Sequence, residues 1–136
     1  MRYLAIDFGD KRTGLAICDS AETLATPLAV ISGQKELLKK IADIVSSENV
    51  EALVLGLPLS MDDSESTQTK HVLDFAEQLK KRFDIPIHLQ DERLTTFAAE
   101  RRLASGKLTR GKRKKRLDAV AAAAILEAFL QAKRQG

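Results

Sequence analysis

The six residues Ala52–Leu57 (ALVLGL) contain no polar side chain, and Pro58 ends the run. A stretch that is apolar at every position, not at alternate ones, fits a strand buried on both faces. Such strands belong to parallel sheets with helices packed on either side. The flanking segments supply the helices. Leu37, Leu38, Ile41, Ile44 and Val45 recur at helical spacing, which predicts a helix from about Gln34 to Ser47 with Ser32 placed to cap it. After the polar stretch 59–69 (LSMDDSESTQT), a second helix is expected to about Arg82, with Val72, Leu73, Phe75, Ala76 and Leu79 inward.

Upstream, Tyr3–Phe8 and Thr13–Cys18 are short apolar runs joined by Gly9-Asp10-Lys11-Arg12, a hairpin pattern. Leu24–Ile31 resumes strand character, and Pro27 assigns it an edge. Downstream, Ile85–Gln90 predicts a short strand. Thr95 or Thr96 can cap a helix through Leu103, and Ser105-Gly106-Lys107 breaks it. A last helix is expected to begin within Lys112–Arg116 and reach about Lys133. This order predicts an α/β fold with a mixed five-stranded sheet. An antiparallel meander of three strands precedes two parallel strands, with helices on both faces. The length of 136 residues fits a single domain, 1–136.

With 44% apolar residues, disorder is excluded as the main state. No apolar run approaches the roughly 20 residues of a membrane helix, and Met1-Arg2-Tyr3-Leu4 lacks a signal-peptide layout. The lone Cys18 excludes an internal disulfide and a Cys-rich zinc site, and points to a reducing cytoplasm. Cys18 itself is expected to be a small packed residue. Charge is uneven. Arg93–Arg116 holds ten Lys or Arg and one acid, Glu100, a net +9 in a chain of +3, which leaves −6 elsewhere. A solvated helix ordinarily sets Glu against Lys, and this segment does not. A polyanionic partner is therefore expected, with Arg93, Arg110, Lys112, Arg113, Lys114, Lys115 and Arg116 as its contacts and Lys11 and Arg12 beside the hairpin turn.

Three acids stand out by position. Asp7 ends the first strand, where a buried carboxylate needs a cation or donors. Glu92 lies just past the last strand, at the end where sites form in open sheets. Asp118 shares a helix face with Ala121, Ala122, Ile125 and Phe129, the face expected to pack on the sheet. Three convergent carboxylates cannot all stay ionised without cations. Hard oxygen donors fit Mg²⁺ or Mn²⁺, and two such ions could clamp a phosphodiester for attack by water.

Four spaced motifs then become recognisable. Ile6-Asp7-Phe8-Gly9 with Lys11 and Gly14, Gly56-Leu57-Pro58-Leu59 with Met61-Asp62, Asp91-Glu92-Arg93-Leu94-Thr95-Thr96, and Leu117-Asp118-Ala119 occur in that order. Together the chain resembles the Holliday-junction-resolvase-like family, whose members are also described as pre-16S rRNA nucleases. The resemblance implies an RNase H-like fold, a cytoplasmic bacterial protein, and a nuclease acting at the 5′ end of precursor small-subunit rRNA. It makes Asp7, Glu92 and Asp118 the catalytic, metal-binding residues. One departure concerns the second ion. The resolvases that the chain resembles carry two acidic or His positions three apart on the last helix, and here Lys115 and Ala121 hold those places. A branched-DNA resolvase and a non-catalytic nucleic-acid-binding module are the alternative functions. The expected partner is structured RNA or branched DNA, with no membrane, and the expected state is a monomer or weak homodimer.

Overall fold

Each apolar run expected to be a strand is a strand in the computed structural model, which describes residues 1–58, 67–92 and 110–135, the stretch 110–117 by its backbone alone. The strands are β1 (Tyr3–Asp7), β2 (Arg12–Cys18), β3 (Ala25–Ser32), β4 (Ala52–Leu57) and β5 (Ile87–Asp91). The helices are α1 (Leu37–Ser47), α2 (Thr67–Arg82) and α3 (Arg110–Gln135). The sheet order is β3-β2-β1-β4-β5. β1, β2 and β3 pair antiparallel, whereas β1 with β4 and β4 with β5 pair parallel. This is the mixed sheet that the order of apolar runs predicts, with β3 at one edge and β5 at the other.

Several strand ends shift by one residue, and α2 starts at Thr67, inside the expected polar stretch; the larger shifts are at α1, β5 and α3. Ser32 does not cap a helix, because β3 claims it as the cross-strand partner of Arg12. Gly33 then turns the chain at φ +74, and α1 starts only at Leu37, with no side-chain cap. β5 starts at Ile87, not Ile85. Pro86 has no N–H to donate, but its carbonyl accepts from Leu53 N–H at 2.8 Å, which sets the register. α3 starts at Arg110, two residues before the expected window. The helix expected through Leu103, the break at Ser105–Lys107 and the loop residues 59–66 lie outside the described residues.

Strand alternation sorts the side chains onto two faces. Leu4, Ile6, Leu15, Ile17, Leu53 and Leu55 face α1 and α2, where Leu37, Ile41, Val72, Phe75, Ala76 and Leu79 cover them. Phe8 extends this layer, its ring stacked on Phe75 with centroids 4.2 Å apart. Tyr3, Ala5, Ala16, Cys18, Ala52 and Val54 face the other way, under Ala122, Ile125, Leu126 and Leu130 of α3. Cys18 is buried here, as expected, and burial pushes its thiol pKa up. No described helix is long and apolar enough to cross a membrane.

Candidate active site

In open α/β sheets, sites form beyond the carboxyl ends of parallel strands. Here those ends are Asp7 of β1, Leu57 of β4 with Pro58 after it, and Asp91 of β5 with Glu92 after it. Alternation along β1 puts Asp7 on the α3 face with Tyr3 and Ala5. Its neighbours on both adjacent strands are glycines. Asp7 pairs with Gly14 of β2. One step past the paired Ile6 and Leu55, Asp7 comes beside Gly56 of β4.

Both glycines are close approaches. A Cβ at Gly14 would fall on the Asp118 carbonyl and the Ala119 nitrogen, so the α3 backbone lies directly on β2. A Cβ at Gly56 would sit 2.6 Å from Glu92 Oε1 and 2.6 Å from Ile125 Cδ1. The bare backbone of β4 is thus the floor under the Glu92 side chain. The sheet meets the two remote acids without intervening side chains.

Asp7, Glu92 and Asp118 line one open cavity of about 260 Å³, together with Phe8, Gly9, Arg12, Pro58 and Gln68. The three acids singled out in the sequence are therefore brought together, from positions 7, 92 and 118. Asp10 does not join them: it is exposed, and its carboxylate lies 3.8 Å from His71 Nδ1. Asp91 is not a lining residue either. The His71 side chain is half-exposed.

The turn between β1 and β2 is fixed from outside. Gln68 Nε2 donates to Phe8 O at 3.3 Å, and Gln34 Nε2 donates to Gly9 O at 3.3 Å and Asp10 O at 3.4 Å. Gly33 N–H donates to Lys11 O at 2.8 Å. With its carbonyls held, the turn presents Arg12 to the cavity, where its Nε donates to Asp118 Oδ2 at 3.1 Å. Lys11 is exposed and does not line the cavity. Arg93 lies outside the described residues, as do the side chains of Arg110, Lys112, Arg113, Lys114, Lys115 and Arg116. Their backbone from Arg110 onward forms the start of α3, whose residue Asp118 reaches the cavity.

Gln68 and the paired roles of Gly14 and Gly56 were not legible as site features. Gln68 sits in a polar stretch with nothing to distinguish it. The donor set consists of carboxylate oxygens, which suit a hard divalent ion. Among the described residues, however, no three of His, Cys, Asp or Glu form a group that could hold an ion as they stand. Asp118 is turned to Arg12.

The fold is shared with known resolvases. A Thermus thermophilus RuvC solved in complex with a Holliday junction substrate superposes with a TM-score of 0.58 at 13% identity, covering 98% of this chain and 96% of that one. Sequence likeness is far stronger elsewhere. A Maridesulfovibrio salexigens protein named "Putative pre-16S rRNA nuclease" is 44% identical over 132 residues, covering 96% of this chain and 98% of the relative. A Rhodopirellula baltica protein of the same name is 43% identical over 135 residues, covering 98% of this chain and 78% of the relative. Residues 1–132 match the RuvX family, described as Holliday junction resolvase. A match over nearly the whole length, on an RNase H-like sheet, means that the chain belongs to the RuvX family and is a nuclease, a hydrolase of ester bonds.

Proposed function

We propose that this nuclease processes the 5′ end of pre-16S rRNA, with Asp7, Glu92 and Asp118 as its catalytic carboxylates. The observation that carries the proposal is their meeting in one cavity of about 260 Å³ at the carboxyl ends of the parallel strands. The substrate is the one that the 44%-identical relative's name gives. Asp7, Glu92 and Asp118 would hold Mg²⁺ or Mn²⁺, with room for two ions only if the substrate supplies further oxygens. A bound ion would lower the pKa of an attacking water and offset charge on the phosphate oxygens.

The chain's own residues prepare that chemistry. Asp7 is anchored on the rigid centre of the sheet, and Glu92 rests over Gly56. Arg12 puts a guanidinium at the cavity, where a phosphodiester would be met by charge and a forked donor. Gln68 and Gln34 hold the turn that carries Arg12. The basic start of α3, with Lys112–Arg116 ahead of Asp118, would neutralise flanking phosphates.

The test is a cleavage panel. Purified protein is incubated with a 5′-extended 16S precursor fragment and with a four-way DNA junction, each with Mg²⁺, with Mn²⁺ or with chelator. Metal-dependent cutting of the precursor is expected. Cutting of the junction alone would move the substrate to branched DNA, in line with the family's description as Holliday junction resolvase. Binding of both without metal-dependent cutting of either would leave a non-catalytic module and end the proposal.

A further inference from the structure

Asp118 already has a cation beside it. Arg12 Nε donates to its Oδ2 at 3.1 Å, and the two side chains are 24% and 23% exposed. Both residues line the cavity that Asp7 and Glu92 line. A guanidinium at hydrogen-bond distance takes up a lone pair of Oδ2 and repels a second cation arriving at the same oxygen. Arg12 and a divalent ion therefore compete for Asp118.

A phosphodiester changes the competition. Guanidinium binds phosphate through parallel N–H donors, and the incoming charge is negative. The backbone on either side does not need to move. β2 is fixed by its pairing to β1 and β3, and α3 is seated on Gly14 at Asp118 itself. The two states differ only in where two partly exposed side chains point.

We propose that Arg12 gates the metal site: in the free protein it holds Asp118, and a nucleic-acid phosphate draws it away, so that Asp118 turns to the divalent ion. This rests on reading Asp7, Glu92 and Asp118 as the ion's ligands. Its consequence is positive coupling. Nucleic acid raises metal affinity, and by linkage metal raises nucleic-acid affinity by the same factor. Arg12 is then a positioning residue that acts through Asp118, and the free protein carries its metal site in a guarded state.

The experiment measures Mn²⁺ binding to the full chain by electron paramagnetic resonance of unbound Mn²⁺. Each protein is titrated alone and with a phosphorothioate-linked RNA hairpin, which keeps backbone charge and resists hydrolysis. Wild type is expected to gain about tenfold in Mn²⁺ affinity when the hairpin is added. Arg12→Gln is expected to bind Mn²⁺ about tenfold more tightly than wild type without RNA, and to gain no more than about twofold from the hairpin. Arg12→Lys keeps the charge without the fork and should fall between them; it serves as the deciding variant if Arg12→Gln does not fold. Mn²⁺ affinity in the free Arg12 variants equal to or weaker than wild type would overturn the gate. A purely structural ion pair would give that result. The underlying ligand reading is checked separately with Asp7→Asn. If this variant binds Mn²⁺ as well as wild type, both the ligand reading and the gate fall; if it binds poorly while the Arg12 variants match wild type, only the gate falls.

Discussion

The two faces of the sheet are equally buried and built from different residues. On the α1–α2 face, the central strands present Leu4, Ile6, Leu15, Ile17, Leu53 and Leu55. On the α3 face the same strands present, beyond Tyr3 at the edge of the layer, only the smaller Ala5, Asp7, Gly14, Ala16, Cys18, Ala52, Val54 and Gly56. Leu4 and Ala5 are both 0% exposed, so burial does not distinguish the faces. Size does. The bulky face fills the space between sheet and helices with methyl groups and carries the larger hydrophobic stabilisation. The small face gives up that area. In return, a helix backbone comes down onto β2 at Gly14, and a carboxylate lies over β4 at Gly56. One face is a core, and the other is a seat for the site.

That contrast can be broken from either side. The largest effect is expected at Asp7. Asp7→Asn should lower turnover about a thousandfold or more, because the proposed ion site would lose a charged oxygen. Substrate affinity should stay within a few-fold and the melting temperature should hold or rise, since one of three clustered acids is neutralised. Parallel cleavage and melting curves check this; loss of stability in step with activity would show that the α3 face is a core after all.

Leu55→Ala is the reverse experiment on the bulky face. It should cost about 2–5 kcal/mol of stability through lost contact and cavity formation, read as a lower urea midpoint. Cleavage per folded molecule should change little at low temperature. Gly56→Ala should fall between the two. Its Cβ would come within 2.6 Å of Glu92 Oε1 and of Ile125 Cδ1, so it strains the packing and displaces the acid. The stability cost should be about 1–3 kcal/mol, with a fall in cleavage beyond what that destabilisation explains. A variant with normal cleavage would show that Glu92 does not need the bare floor.

The smallest effect lies at the far end of α3. Lys133 Nζ is 2.7 Å from Glu22 Oε1, and the N-terminal amino group is 3.2 Å from Oε2. Hydrogen bonding from Lys133, and then from the amino group, holds the Glu22 pKa below the ordinary carboxylate range. A depressed folded-state pKa gives stability that is present above the unfolded value and is lost as pH falls through the folded one. Glu22→Gln should therefore melt slightly below wild type at pH 7, by less than about 1 kcal/mol for so accessible a pair. The gap should close below about pH 4. A gap that is unchanged at low pH would mean that the pair does not tie the start of β1 to the end of α3.

Much of this was legible in the residues. β4 spans the run Ala52–Leu57 as the apolar pattern drew it, because six apolar residues before a proline leave few other options. Pro27 marked an edge strand, since a central strand needs every N–H. The three acids were conspicuous by position: Asp7 and Asp118 interrupt apolar patterns, and Glu92 lies just past a strand end. Ser32 misled because a capping residue is also an acceptable strand residue, and pairing with Arg12 decided between the two. Gln68 had no local mark at all; its bond to Phe8 O joins residues 60 apart.

One signal was present and is invisible to hydropathy. From Leu4 on in YLAID, and through TGLAIC and ALVLGL, smaller residues alternate with larger ones. Scored as apolar or polar, LAI, GLAIC and ALVLGL within these runs are uniform. Scored by volume, they name the face onto which a helix can close. Sequence alone determined that the chain makes a mixed sheet between helices, because strand and helix periods are local properties of the polymer. It also determined where its unusual acids lie. Only the tertiary structure decided that Arg12 should meet Asp118 and that Glu92 should rest on Gly56. Those contacts depend on strand register and on the depth of one helix, which no single segment contains.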